Sequence, residues 1–149
     1  MNRLKPAERE ELQQLLVILK SSHENEKNSA FARMGELFSR VDWFDPIDHE
    51  PEKIEFRVDI FQSVWKEAME LRRSGRLLEM GRDIPCPVVA IHGDFDSHPA
   101  EGVEKPLSAI IMDFRFILLN DCGHKPWIER QARDRFYAII REEITSCFK

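Results

Sequence analysis

Two short segments of this 149-residue chain concentrate the side chains able to move protons or hold cations. They are HGDFDSHP, His92 to Pro99, and NDCGHKPW, Asn120 to Trp127. Together they offer His92, Asp94, Asp96, His98, Asp121, Cys122 and His124. Imidazole beside carboxylate suits acid–base work, because a carboxylate that fixes one ring nitrogen leaves the other free to exchange a proton. The same groups ligate divalent metals, and His92, Asp94, Asp96 and His98 alternate with a period of two, which puts them on one side of an extended segment. Gly93 and Pro99 break that regularity. Taken singly, an Asp in a loop ends a strand or caps a helix, and a lone His is a solvated or hydrogen-bonded bystander, the ordinary reading for His23, His49, His92 and His98. Cys122 sits too near His124 on one tight loop to form a nucleophile–base pair with it.

These segments must be held by strands. CPVVAIHGD and FRFILLNDCGH are short apolar runs, rich in β-branched residues, that end in Gly and Asp, and each reads as a buried strand. Between them Val103, Leu107, Ile110 and Ile111 share one helical face, giving a strand–helix–strand order and hence a parallel crossover. The tail from Trp127 to Ile144 carries Ile128, Ala132, Phe136, Ile139, Ile140 and Ile144 at helical spacing, a last helix anchored by Trp127. In open parallel sheets the carboxyl ends of strands converge on a crevice where ligands collect, and both reactive segments lie at such ends.

Residues 1 to about 80 read as helical, with no convincing strand. Pro6 suits a first turn, Glu8, Glu10 and Glu11 favour the positive helix end, and Leu12, Leu15, Leu16 and Leu19 form a stripe. SSHENEKNS (21–29) breaks the pattern, and Phe31, Met34, Leu37, Phe38 and Val41 restart it as a shorter helix ended by Asp45-Pro46. Ile54, Val58, Phe61, Trp65, Ala68 and Arg72 then mark the longest helix of this half, closed by Gly75 or Gly81. Trp43 and Trp65 are expected in the core, the acidic run from Asp45 to Glu55 in a solvated loop, and the sole subdomain break near Arg82 to Pro85.

Composition narrows the partners. Apolar residues at 42% support one folded domain, and 27 acidic against 22 basic residues give a net charge of −5, which argues against nucleic acid and anionic membrane. The longest aliphatic run, Leu15 to Leu19, is far short of the roughly 18 residues that cross a bilayer, and the start MNRLKPAEREEL lacks a secretory signal, so a cytoplasmic location is expected. Cys86, Cys122 and Cys147 are odd in number and widely spaced, which disfavours disulfides and a cysteine zinc site.

A strand ending in Gly-x-x-Asp, a crossover helix, a strand ending in Gly-His and a closing amphipathic helix together resemble the carboxyl-terminal half of the α/β-hydrolase family. The resemblance spans nearly the whole chain. It implies a partial α/β-hydrolase fold: residues 1–80 as a helical cap-like region, and residues 81–149 as a minimal parallel β-α-β unit with a carboxyl-terminal helix. It implies Asp96 as catalytic acid, with Asp94 its rival, and His124 as catalytic base for hydrolysis of an ester or amide. The family's nucleophile lies on a G-x-S-x-G turn. None of the six glycines here, Gly35, Gly75, Gly81, Gly93, Gly102 and Gly123, forms such a turn, so the expectation is a hydrolase part inactive alone, without cofactor. Its expected partners are a small acyl substrate when complete, and a second copy or a missing amino-terminal half joined through the open apolar edge at Val88 to Ile91. Two alternatives compete: a non-catalytic oligomeric assembly module, and a metal site in the 92–98 loop.

Overall fold

A computed structural model describes residues 3–21, 23–49 and 57–146. They divide into two compact units, one from residues of 1–41 and 51–74, the other from residues of 42–50 and 75–149. Each has its own core cluster, where composition suggested a single one. The division differs from a simple break near Arg82 because residues 45–47 exchange backbone hydrogen bonds with residues 128–130, which ties 42–50 to the second unit.

In the first unit α1 (Pro6–Ser21) starts at the expected proline, and Glu8 accepts a hydrogen bond from the Lys5 N–H before the first turn. α2 (Glu24–Asp42) begins seven residues before Phe31 and is the longest helix of this half. The polar residues after His23 break the apolar stripe but not the helix: Glu, Lys and Ala are good helix formers, and they extend it until packing at Ala30 takes over. α1 and α2 bury Leu4, Leu12, Leu15, Ala30 and Leu37, while Leu16 stays exposed. An Arg33–Glu11 pair at 2.6 Å crosses the seam between the two helices. α3 (Val58–Arg73) is capped from outside itself, its first N–H donating to Asn28 Oδ1 at 3.0 Å. Ile54 and the stretch 50–56 lie outside the described residues. Phe61 packs on Phe31, with ring centroids 4.5 Å apart, and stacks on Trp65. Trp65 is nonetheless 46% exposed, as are its neighbours Ile60 and Val64 in similar degree. The stripe on α3 is wider than the described neighbours cover, so the expectation of a core tryptophan fails there.

The second unit is mixed α/β. After Gly75, which takes a φ of 75°, come one helical turn α4 (Arg76–Glu79) and a 3₁₀ turn (Met80–Asp83). Next stand β1 (Val88–Gly93), α5 (Glu101–Ile110) and β2 (Phe114–Leu119). β1 and β2 pair in parallel, Val88 opposite Phe114 through Gly93 opposite Leu119, as the crossover reading requires. The expected tail helix is split: a 3₁₀ turn at Pro126–Ile128 precedes α6 (Arg133–Ser146). Ile128 and Ala132 are buried in the loop, not along the helix, and Trp127 packs against Phe136 of α6. Leu119, Cys122, Ala132 and Ile139 form the core. The strands are only half-buried, because two strands leave much of their faces uncovered: Gly93 and Leu119 are buried, while Leu118 is exposed. Among the described residues no helix is long and apolar enough to cross a membrane.

Leu37 has no exposed surface, so Leu37→Ala is expected to lower stability in urea by about 2–5 kcal/mol, whereas Val64→Ala, at an exposed site, changes it by less than about 0.5 kcal/mol.

Candidate functional site

Both reactive segments leave the same end of the sheet. Beyond Gly93 the pairing continues irregularly, with Asp94 N–H donating to the Leu119 carbonyl at 2.9 Å and Phe95 N–H to that of Cys122 at 2.8 Å. This close approach is possible only for glycine at position 93, because a Cβ there would run into the Cys122 and Gly123 carbonyl oxygens. Asp121 turns the second chain with a φ of 52°, a left-handed conformation that Asp tolerates. Gly123 is equally constrained: a Cβ would strike the Asp42 carbonyl oxygen and Glu129.

Glu129 holds this loop from within. Its carboxylate is fully buried and accepts three backbone hydrogen bonds, from Gly123 N–H at 3.0 Å and Phe44 N–H at 2.9 Å on Oε1, and from Asp45 N–H at 2.8 Å on Oε2. His124 N–H donates to the Asp42 carbonyl at 2.8 Å, so the histidine backbone is fixed on both sides of Gly123. Neither Glu129 nor the Asp42–Asp45 turn was picked out from sequence. A glutamate in a polar stretch before a helix carries no signal of burial, and its partners Phe44 and Asp45 lie more than 80 positions away.

Asp96 and His124 are brought together. His124 Nδ1–H donates to Asp96 Oδ2 at 2.7 Å. The Asp96 side chain is 6% exposed and that of His124 50%. Asp94, the rival acid, is engaged elsewhere: its Oδ1 accepts from Cys122 N–H at 3.2 Å. The other oxygen of Asp96 accepts from His98 twice, from the backbone N–H at 2.9 Å and from ring Nδ1–H at 3.0 Å. His92 completes the group, with Nδ1–H donating to the Gly93 carbonyl and Nε2 standing 3.6 Å from Asp96 Oδ2. His92 and His98 are therefore partners of the same carboxylate and not bystanders, and Asp94 stands apart from the period-two set. His49 fits the ordinary reading, its ring bonded to the Ile47 carbonyl.

Burial alone would raise the Asp96 pKa, but the His98 backbone N–H and the His124 and His98 rings outweigh it and hold the carboxyl below its usual value of 3.8. Cys122 moves the opposite way: burial first, then the charges of Glu129, Asp94 and Asp96, push its thiol up to about 12. A fully buried thiol that stays protonated is inert as a nucleophile. Cys86 is exposed, and Cys147 lies outside the described residues. No protein-family model, curated protein or solved structure matches the chain.

Two consequences can be measured. Glu129→Gln sets an amide N–H₂ against one of the three backbone donors and is expected to cost about 1–3 kcal/mol in urea unfolding, with Glu129→Ala, which leaves all three unpaired, costing more. Because the folded-state pKa of Asp96 is depressed, its contribution to stability is present above the unfolded value near 3.8 and is lost as pH falls through the folded one. The stability gap between wild type and Asp96→Asn, followed by urea midpoints from about pH 7 to about pH 2, should be largest at neutral pH and close on the acid side.

Proposed function

We propose that the chain supplies the acid–base part of a serine-hydrolase site of the α/β-hydrolase kind, with Asp96 orienting His124 for acyl chemistry on an ester or amide. The observation that carries the reading is the 2.7 Å bond from His124 Nδ1–H to a buried Asp96 carboxylate at the shared carboxyl end of two adjacent parallel strands. With Nδ1 committed as a donor, the lone pair of a neutral ring resides on Nε2, the atom that would take an alcohol proton and later return it to the leaving group. Half exposure of the ring leaves it open to a reacting partner. His98 N–H on Oδ1 holds the carboxylate so that Oδ2 is presented to His124.

The alcohol must come from elsewhere, since the sequence has no G-x-S-x-G turn and Cys122 is buried. A sheet of two parallel strands is small for its class, and the outer edge of β1 is where a nucleophile-bearing strand would add.

The test treats the isolated chain with a fluorophosphonate probe and an activated ester. No serine should be labelled and no ester cleavage should exceed that of free imidazole. In the same preparation diethyl pyrocarbonate should modify His124 Nε2, more slowly in Asp96→Asn. A labelled serine, ester turnover abolished by His124→Ala, or a His124 reactivity indifferent to Asp96 would defeat the reading.

A further inference from the structure

We propose that Asp96, His98 and His124 form a binding site for a borderline divalent cation of the zinc type, in which the two imidazoles and the carboxylate are the protein ligands. One donor atom from each residue lies within 4.8 Å of the others. Two histidines and one carboxylate with a position left for water is a donor set that such ions take, in sites open on one side. Here the carboxylate is buried and the two rings are exposed, at 69% for His98 and 50% for His124, so the cation would enter from solvent onto a fixed anionic floor.

Distances favour it. The ring Nδ1 atoms stand 3.0 and 2.7 Å from the two oxygens of Asp96, held there through protons. A tetrahedral zinc with ligand bonds of about 2.0–2.1 Å needs donors about 3.4 Å apart, so these two contacts widen by roughly 0.5 Å while the widest donor pair, within 4.8 Å, closes toward the same spacing, movements that exposed rings can make. Each neutral ring moves its one proton from Nδ1 to Nε2, the Nδ1 lone pair turns to the metal, and no proton is lost overall.

His92 lies behind the three ligands and leaves the His98 and His124 rings free to face solvent. Its side chain is nine-tenths buried, and its Nδ1–H is spent on the Gly93 carbonyl. Its Nε2 stands 3.6 Å from Asp96 Oδ2, so a third imidazole backs the carboxylate on the side away from solvent. The site does not depend on the hydrolase reading, but it excludes that chemistry while filled, because the Nδ1 atom that Asp96 must hold as a donor becomes a ligand.

The experiment titrates zinc chloride into the chelator-treated full chain by calorimetry, with ring nitrogens followed by NMR. One saturable site is expected, with zinc shifting the His98 and His124 ring signals and leaving those of His49 in place. His98→Ala and His124→Ala should each weaken binding about 100-fold or more. His23→Ala should bind as wild type. His98 is exposed, so its variant keeps the fold and the Asp96–His124 bond, which circular dichroism and the diethyl pyrocarbonate rate check. Absence of saturable binding, or His98→Ala binding zinc like wild type, overturns the site. Neither result touches the fluorophosphonate outcome, so the two readings fail separately.

Discussion

The second unit is organised around one buried carboxylate. Glu129 has no exposed surface, yet among the described residues it pairs with no cation: its carboxylate is met by the N–H groups of Phe44, Asp45 and Gly123. An ionised group can be taken out of water only where fixed dipoles replace its hydration, and backbone amides do so at no cost in side-chain entropy. The arrangement therefore works only if the 42–45 turn and the 122–124 turn are both in place, which makes Glu129 a clamp between segments far apart in sequence. The antiparallel bridge of Pro46 with Glu129, and Ile47 N–H on the Ile128 carbonyl, extend the same seam.

From that clamp the site follows by steric necessity. Gly123 meets the Asp42 carbonyl and Glu129 too closely for any side chain, and Gly93 meets the Cys122 and Gly123 carbonyls likewise. The two strand ends are thus drawn together, and the next reactive residue on each, Asp96 and His124, comes within one hydrogen bond. The Cys122 side chain, wedged at their junction, packs into the core and donates to the Gly123 carbonyl, while burial and three nearby carboxylates suppress its thiolate.

What could be read from sequence was whatever is local. Apolar runs ending in glycine marked β1 and β2, helical spacing marked α1, α3 and α5, and the pairing of a Gly-x-x-Asp end with a Gly-His end located Asp96 and His124. What stayed hidden was set by distant partners. The start of α2 could not be separated from a polar loop because its first turns have no apolar stripe. Ile128 and Ala132 fit a helical period yet belong to a turn, because burial against the core produces the same pattern. Glu129 looked like one of many surface acids. A period of two grouped His92 and His98 with both Asp94 and Asp96, and it could not single out Asp96 because the turn there, whose N–H bonds the Gly93 carbonyl, brings rings and carboxylate together in a way that no regular period describes.

Asp96 concentrates the remaining tension. One carboxylate with two oxygens serves three imidazoles: Oδ1 takes both His98 contacts, while Oδ2 takes His124 at 2.7 Å and faces His92 at 3.6 Å. Its 6% exposure leaves little room for water to share that load. Proton transfer by His124 needs Nδ1 to be a donor, and cation capture needs the same atom to be an acceptor, so the two uses draw on opposite tautomers of one ring. Which one prevails depends on His98. As a donor it steadies the carboxylate for His124, and as a second nitrogen ligand it tips the same carboxylate toward a cation. The backbone N–H of His98 already serves the acid–base pair, so its ring adds a second donor there, whereas a cation gains a ligand from it, and that asymmetry makes His98 the residue on which the chemistry of this cluster turns.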